Sequence, residues 1–167
     1  MQAVGVVGWS GSGKTLLITR LIPLLQARGL RVSTVKHAHH QLALDQPGKD
    51  SFRHAEAGAQ EVILAGGGGF ALYAKEVPAL DKLLARLAPV DLVLVEGFKS
   101  YPIPKIEVHR PALGKPALWP EMAVLAVASD AQLAGCPYPV LALDQPTLLA
   151  DFLLDIVRLN GRGMARE

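Results

Sequence analysis

Short apolar runs and amphipathic stretches alternate along the chain. Gln2 to Val7 is an apolar run ending at Gly8, which predicts a first strand. A helix follows from near Gly13, with Leu17, Leu21, Leu24 and Leu25 at helical spacing. It stops at Arg28-Gly29, a basic last turn before a glycine, and Pro23 inside it predicts a kink. Arg31 to Lys36 alternates and is rich in Val and Thr, as a second strand would be. His37 to Lys49 has no period and holds three histidines, Asp45 and a Pro47-Gly48 turn. A short helix over Asp50 to Ala57 ends at Gly58. Strands at Glu61 to Ala65 and Phe70 to Lys75, joined by Gly66 to Gly69, predict a hairpin or a bulged turn.

Pro78 to Leu87 reads as a helix with Leu80, Leu83, Leu84 and Leu87 on one face. Val90 to Val95 is almost purely apolar, as a parallel strand buried on both faces would be. Ile103 to His109 alternates and predicts an edge or antiparallel strand. Ala123 to Ala128 and Pro139 to Leu143 are the last strands. Asp144 is placed to N-cap a final helix carrying Leu148, Leu149, Phe152, Leu153 and Ile156, before a frayed tail from Asn160. Strands alternating with helices predict an α/β fold with a mainly parallel sheet plus edge or antiparallel strands. At 167 residues, one domain over 1–167 is expected.

Composition narrows the function. Half the residues are hydrophobic, 19% are charged and the formal charge is +2. No run of Lys or Arg points to nucleic acid or a membrane surface as partner. Cys136 is the single cysteine, so an intrachain disulfide and a Cys-rich metal site are excluded. The N-terminus lacks a basic n-region, and no stretch of about 18 apolar residues occurs, so a cytoplasmic protein with no membrane span is expected.

Gly8-Trp9-Ser10-Gly11-Ser12-Gly13-Lys14-Thr15 matches G-x-x-x-x-G-K-[ST] at every fixed position. Glycines let successive N–H groups turn into one hollow, and the following helix adds its N-terminal dipole. Lys14 supplies a mobile charge for the β and γ phosphates and Thr15 a hydroxyl for Mg²⁺. The motif lies between a predicted strand and a predicted helix, as the mechanism requires. The fold is therefore expected to be a three-layer P-loop NTPase domain.

Other candidates stand at predicted strand ends, where ligands of open α/β sheets bind. Glu96 ends the most apolar strand and can hold Mg²⁺ directly or through water, or act in catalysis by organising the attacking water. Asp50, and less so Asp45, can approach the metal, and Asp50 can equally cap the next helix. Lys36-His37-Ala38-His39-His40 is better read as a polar strand-end loop facing phosphates or a second ligand than as a metal cluster. Asp130 either accepts the two donors of a guanine edge or caps a helix, and no Asn-Lys-x-Asp guanine signature is present.

GWSGSGKT at Gly8 to Thr15, VKHAHH at Val35 to His40, PGKDSFRHAEAGA at Pro47 to Ala59 and VEGFK at Val95 to Lys99 together resemble the molybdopterin-guanine dinucleotide biosynthesis adaptor proteins, the MobB type. The resemblance covers most of the first 110 residues. It implies a GTP-binding homodimer with weak GTPase activity that supports GMP attachment to molybdopterin beside a guanylyltransferase. A molybdopterin-type ligand comes with that role. It also implies phosphate and metal contacts at Lys14 and Thr15 and the acidic strand end at Glu96. Lys36, His37, Asp50 and Ser51 fall inside the matching blocks. The family's loop commonly has a second Thr where Leu16 stands, so one α-phosphate hydroxyl is lost. A small-molecule kinase or an ATP-dependent enzyme similar to dethiobiotin synthetase is the alternative, against which Arg53 and Arg110 look isolated. A third class is a scaffold that never hydrolyses nucleotide, for which the four glycines after Ala65 and the strand at Ile103 to His109 offer unpaired edges for dimerisation or a partner.

Overall fold

The computed structural model describes residues 1–38 and 47–163. His39, His40 and Asp45 lie outside the described residues, as does the end of the tail. The chain gathers into two compact units, one of Met1–His37 with Leu84–Glu167 and the other of Ala38–Leu83.

The first unit is built on six strands: β1 (Gln2–Val7), β2 (Val32–Lys36), β5 (Leu92–Glu96), β6 (Lys105–His109), β7 (Ala126–Ser129) and β8 (Val140–Ala142). All pairs are parallel, in the order β2-β5-β1-β6-β7-β8. The most apolar strands, β1 and β5, sit inside the sheet because only there are both faces dry. Two helices belong to this unit, α1 (Lys14–Ala27) and α4 (Pro146–Gly163). Val4, Val6, Leu92, Leu94, Ile106, Val108 and Ala128 share a core with Leu17, Leu21 and Leu25 of α1 and Leu149 and Leu153 of α4. These sheet residues alternate along their strands, so they line one face. Arg28 caps α1 and Gly29 follows with φ 83, donating its N–H to the Gln26 carbonyl at 2.9 Å. Pro23 sits within the span of α1.

The alternation of Ile103 to His109 misleads. β6 is neither an edge nor antiparallel: it lies between β1 and β7, parallel to both, and all five of its residues are buried. Its polar face is satisfied internally rather than by water. Lys105 donates to the carbonyls of Tyr101 at 2.6 Å and Ile103 at 2.9 Å. Glu107 accepts the N–H groups of Leu118 at 2.8 Å and Trp119 at 3.0 Å. His109 packs edge-on to Trp119, with ring centroids 5.5 Å apart. Burial draws the Lys105 ammonium below its usual pKa. The final helix also starts later than the sequence suggests. It begins at Pro146, so the N-cap position falls on Gln145 and not Asp144, and Pro suits the first turn because its missing N–H has no helical partner there. Leu148 on that helix is 47% exposed, whereas Leu149 and Leu153 are buried.

The second unit holds α2 (Asp50–Glu56), β3 (Glu61–Gly66) and β4 (Gly69–Ala74), and α3 (Leu80–Ala85) runs across its C-terminal boundary. β3 and β4 form an antiparallel hairpin, as the glycine run predicted. Ile63, Leu64, Phe70 and Leu72 of this hairpin are exposed, Phe70 by 76%.

Candidate nucleotide site

The loop from Gly8 to Gly13 leaves the carboxyl end of β1, flanked by β5 and β6. Gly8 has φ 147, and a Cβ there would lie 2.4 Å from the Val108 carbonyl oxygen. Only glycine permits that approach, which brings the loop down onto the sheet. α1 begins at Lys14, so its first turn points into a cavity of about 350 Å³ lined by Ser10, Gly11, Gly13, Lys14, Thr15, Leu16, Lys36 and Glu96. Lys14 donates to the carbonyls of Gly8 at 3.2 Å and Trp9 at 2.8 Å. Burial lowers its pKa; Glu96 opposes that shift, and the ammonium groups of Lys99 and Lys36 add to it. Among the described residues the buried Ser12 hydroxyl has no hydrogen-bond partner, while its backbone carbonyl accepts from Arg110 at 3.0 Å.

Glu96 ends β5, and its carboxylate accepts a hydrogen bond from the Thr15 hydroxyl at 2.8 Å to Oε1 and 3.0 Å to Oε2. Two oxygen donors side by side at a phosphate loop suit Mg²⁺, which takes oxygen ligands and keeps several waters. Thr15 and Glu96 would hold the ion, and when bound it would neutralise phosphate charge. Lys36 ends β2 beside them, its ammonium 3.2 Å from the Thr15 hydroxyl and 3.4 Å from Glu96.

The VEGFK block is a turn with four uses. Glu96 faces Thr15. Gly97, at φ 92, lets the end of β2 come close, since a Cβ there would lie 3.0 Å from that of His37. Phe98 also adopts a positive φ, 50°, and its ring lies 4.9 Å from that of His37. Lys99 places its ammonium 4.4 Å from the Trp9 ring centroid, a cation–π contact. Trp9 is anchored by its indole N–H, which donates to the Pro116 carbonyl at 2.7 Å.

Asp130 follows β7 and lines a second cavity of about 500 Å³ with Ser129, Ala131, Gln132, Leu133, Val140, Ala142, Asp144 and Gln145. Arg110, which looked isolated in sequence, is not. Its Nη1 pairs with Asp130 at 2.6 Å and its Nε donates to the Ser12 carbonyl at 3.0 Å. One guanidinium thus joins the phosphate loop to the rim of the larger cavity. Its position just past β6, beside a strand read as an edge, gave no sign of this. Ser129 Oγ, rather than Asp130, accepts the Ala131 N–H. Asp50 and Ser51 stand in the second unit. Asp50 occupies the first position of α2, with Lys49 at the N-cap, so it complements the helix dipole without capping; Ser51 is buried.

Comparison with known proteins bears on this arrangement. A family model described as molybdopterin guanine dinucleotide synthesis protein B matches residues 3–130. A molybdopterin-guanine dinucleotide biosynthesis adapter protein of Haemophilus influenzae is 44% identical over 155 residues, covering 90% of this chain and 86% of that one. Its Escherichia coli counterpart is 41% identical over 155 residues, covering 88% of each. The crystal structure of Bacillus subtilis MobB superimposes with a TM-score of 0.73 at 27% identity, covering 93% of this chain and 97% of the other.

Proposed function

The chain belongs to the molybdopterin guanine dinucleotide synthesis protein B family, and we propose that it acts there as a GTP-binding adaptor that turns GTP over slowly beside a guanylyltransferase. The observation that carries this reading is the Arg110 bridge. It ties a complete phosphate loop, with Thr15 set against Glu96, to a cavity large enough for a base and edged by Asp130. The phosphates and Mg²⁺ belong at Gly8 to Thr15 and Glu96, and the guanine edge at Asp130. Asp130 uses Oδ2 for Arg110, which leaves Oδ1 to accept a base N–H. Slow hydrolysis fits Glu96, whose carboxylate is engaged by the Thr15 hydroxyl and the Lys36 ammonium rather than poised to take a proton from water.

A homodimer fits the β3–β4 hairpin, whose strands pair with each other and carry four exposed large apolar side chains. β6, being interior, offers no edge for such pairing. Among the described residues no helix is long and apolar enough to cross a membrane, and we place the protein in the cytoplasm.

Reconstituted dinucleotide synthesis from the transferase, molybdopterin and GTP tests the role. The protein should raise yield or lower the GTP requirement. Fast turnover on a small acceptor with no effect on the transferase would favour the kinase alternative.

Base recognition has its own test. Arg110→Gln should raise the Kd for GTP about fivefold, a charge-assisted pair discounted for its partial exposure. Asp130→Asn should add little in the Arg110→Gln background, because the two groups act as a unit. Titrating fluorescent GTP and ATP analogues into the four proteins checks this; additive losses, or equal losses for both bases in Asp130→Asn, would refute it.

A further inference from the structure

Lys36 stands where a metal-binding reading does not expect a cation. β2 and β5 pair in parallel with Lys36 directly opposite Glu96, and the His37 N–H donates to the Glu96 carbonyl at 2.9 Å. Backbone register therefore brings the two strand ends together, whatever rotamer the lysine takes. From there the ammonium reaches both oxygen ligands, 3.2 Å from the Thr15 hydroxyl and 3.4 Å from Glu96 Oε1. The partners differ in freedom. The Glu96 side chain is 12% exposed and that of Lys36 57%. The carboxylate stays while the lysine, on a flexible stem, can leave. Lys36 also lines the phosphate cavity with Lys14. Among the described residues Lys36 pairs with Glu96; with phosphates bound, a stronger anion lies within the same cavity.

We propose that Lys36 is a positioning residue that makes metal binding conditional on a bound triphosphate. Resting on Glu96 and Thr15, its ammonium neutralises the carboxylate and sets a positive charge against any divalent cation. Phosphate oxygens draw the ammonium away, and the same two ligands become available to Mg²⁺. Metal and triphosphate then bind cooperatively, and the free protein discriminates against metal alone. An ordinary exposed ion pair would not touch both metal ligands at once. The proposal rests on the reading of Thr15 and Glu96 as the metal site.

Mn²⁺ titrations followed by the electron paramagnetic resonance signal of the free ion test it, without nucleotide and with a non-hydrolysable GTP analogue. Without nucleotide, Lys36→Met should bind Mn²⁺ about fivefold more tightly than the wild type, the scale of one partly exposed charge contact. Lys36→Arg should match the wild type. Lys99→Met, which removes a charge near Lys14 but not one at Glu96, should change Mn²⁺ affinity less than about twofold. The gain in Mn²⁺ affinity conferred by the analogue should shrink in Lys36→Met by about the same fivefold factor. Unchanged Mn²⁺ affinity in nucleotide-free Lys36→Met, or an equal gain in Lys99→Met, overturns the proposal. Glu96→Gln separates the two ideas. If it leaves Mn²⁺ affinity intact with the analogue bound, the metal site is wrong and the gate falls with it. If it abolishes binding while Lys36→Met changes nothing, the gate alone is wrong.

Discussion

Lys14→Ala should raise the dissociation constant for Mg²⁺·GTP by about a hundredfold or more and leave the melting temperature nearly unchanged. The loss of affinity follows from removing the cation at the phosphates, since truncating one partner of a desolvated charge pair costs about 2–5 kcal/mol. The small effect on stability comes from two terms that oppose each other. The ammonium donates to two loop carbonyls, Gly8 and Trp9, which would lose those bonds. It is also partly desolvated and repelled by Lys99 and Lys36, a cost that attraction to Glu96 offsets only in part, and the variant relieves the remainder. The lowered pKa adds a pH signature. Triphosphate binding favours charged Lys14, so in the wild type affinity should fall as the pH rises through this lowered pKa, earlier than for an ordinary lysine, and the variant should lack that alkaline limb. Calorimetry with GTP across alkaline pH, beside thermal melting, checks both parts. Unchanged affinity would remove Lys14 from the site.

Glu107→Ala should destabilise the protein by about 3 kcal/mol, a large fraction of the 5–15 kcal/mol typical of a domain. Glu107 is fully buried in β6, and its two oxygens take the N–H groups of Leu118 and Trp119. Truncation leaves both amides without these partners and opens a void. Glu107→Gln keeps one acceptor but turns an NH₂ toward the second N–H, so it should lose less than alanine but not recover the wild type. The consequence reaches the site. The segment after β6 carries Arg110, which holds the phosphate loop, and Pro116, which anchors Trp9. Folded Glu107→Ala protein should therefore bind GTP more weakly as well. Urea unfolding with an unchanged m-value, followed by nucleotide titration, tests this. A loss below about 1 kcal/mol would mean the loop finds other partners.

Much of the fold was legible because its signals are local. β1 and β5 announced themselves by apolar runs, and the glycine run marked the hairpin. β6 departs from its sequence pattern for a definite reason. Lys-Ile-Glu-Val-His alternates as a half-exposed strand does, and period-2 alternation reports chemical character, not whether water or protein satisfies the polar face. Here protein satisfies it, through carbonyls of the preceding loop and amides of the following one. Asp130 stands out in the sequence by its place after a buried strand, whereas nothing near Arg110, 20 residues earlier, marks it as the partner.

The amino-acid order by itself determined the phosphate loop, because the groups it needs lie within eight consecutive residues, between a strand and a helix. Glycine conformation, N–H direction and helix start are all properties of that short stretch. Only the tertiary structure decided what the loop works with. Thr15 meets Glu96 across 81 residues of chain and Ser12 meets Arg110 across 98. Lys36 meets Glu96 only because β2 and β5 pair in that register. Strand order sets these meetings, and strand order follows from how the whole sheet buries its two faces, which no single segment encodes.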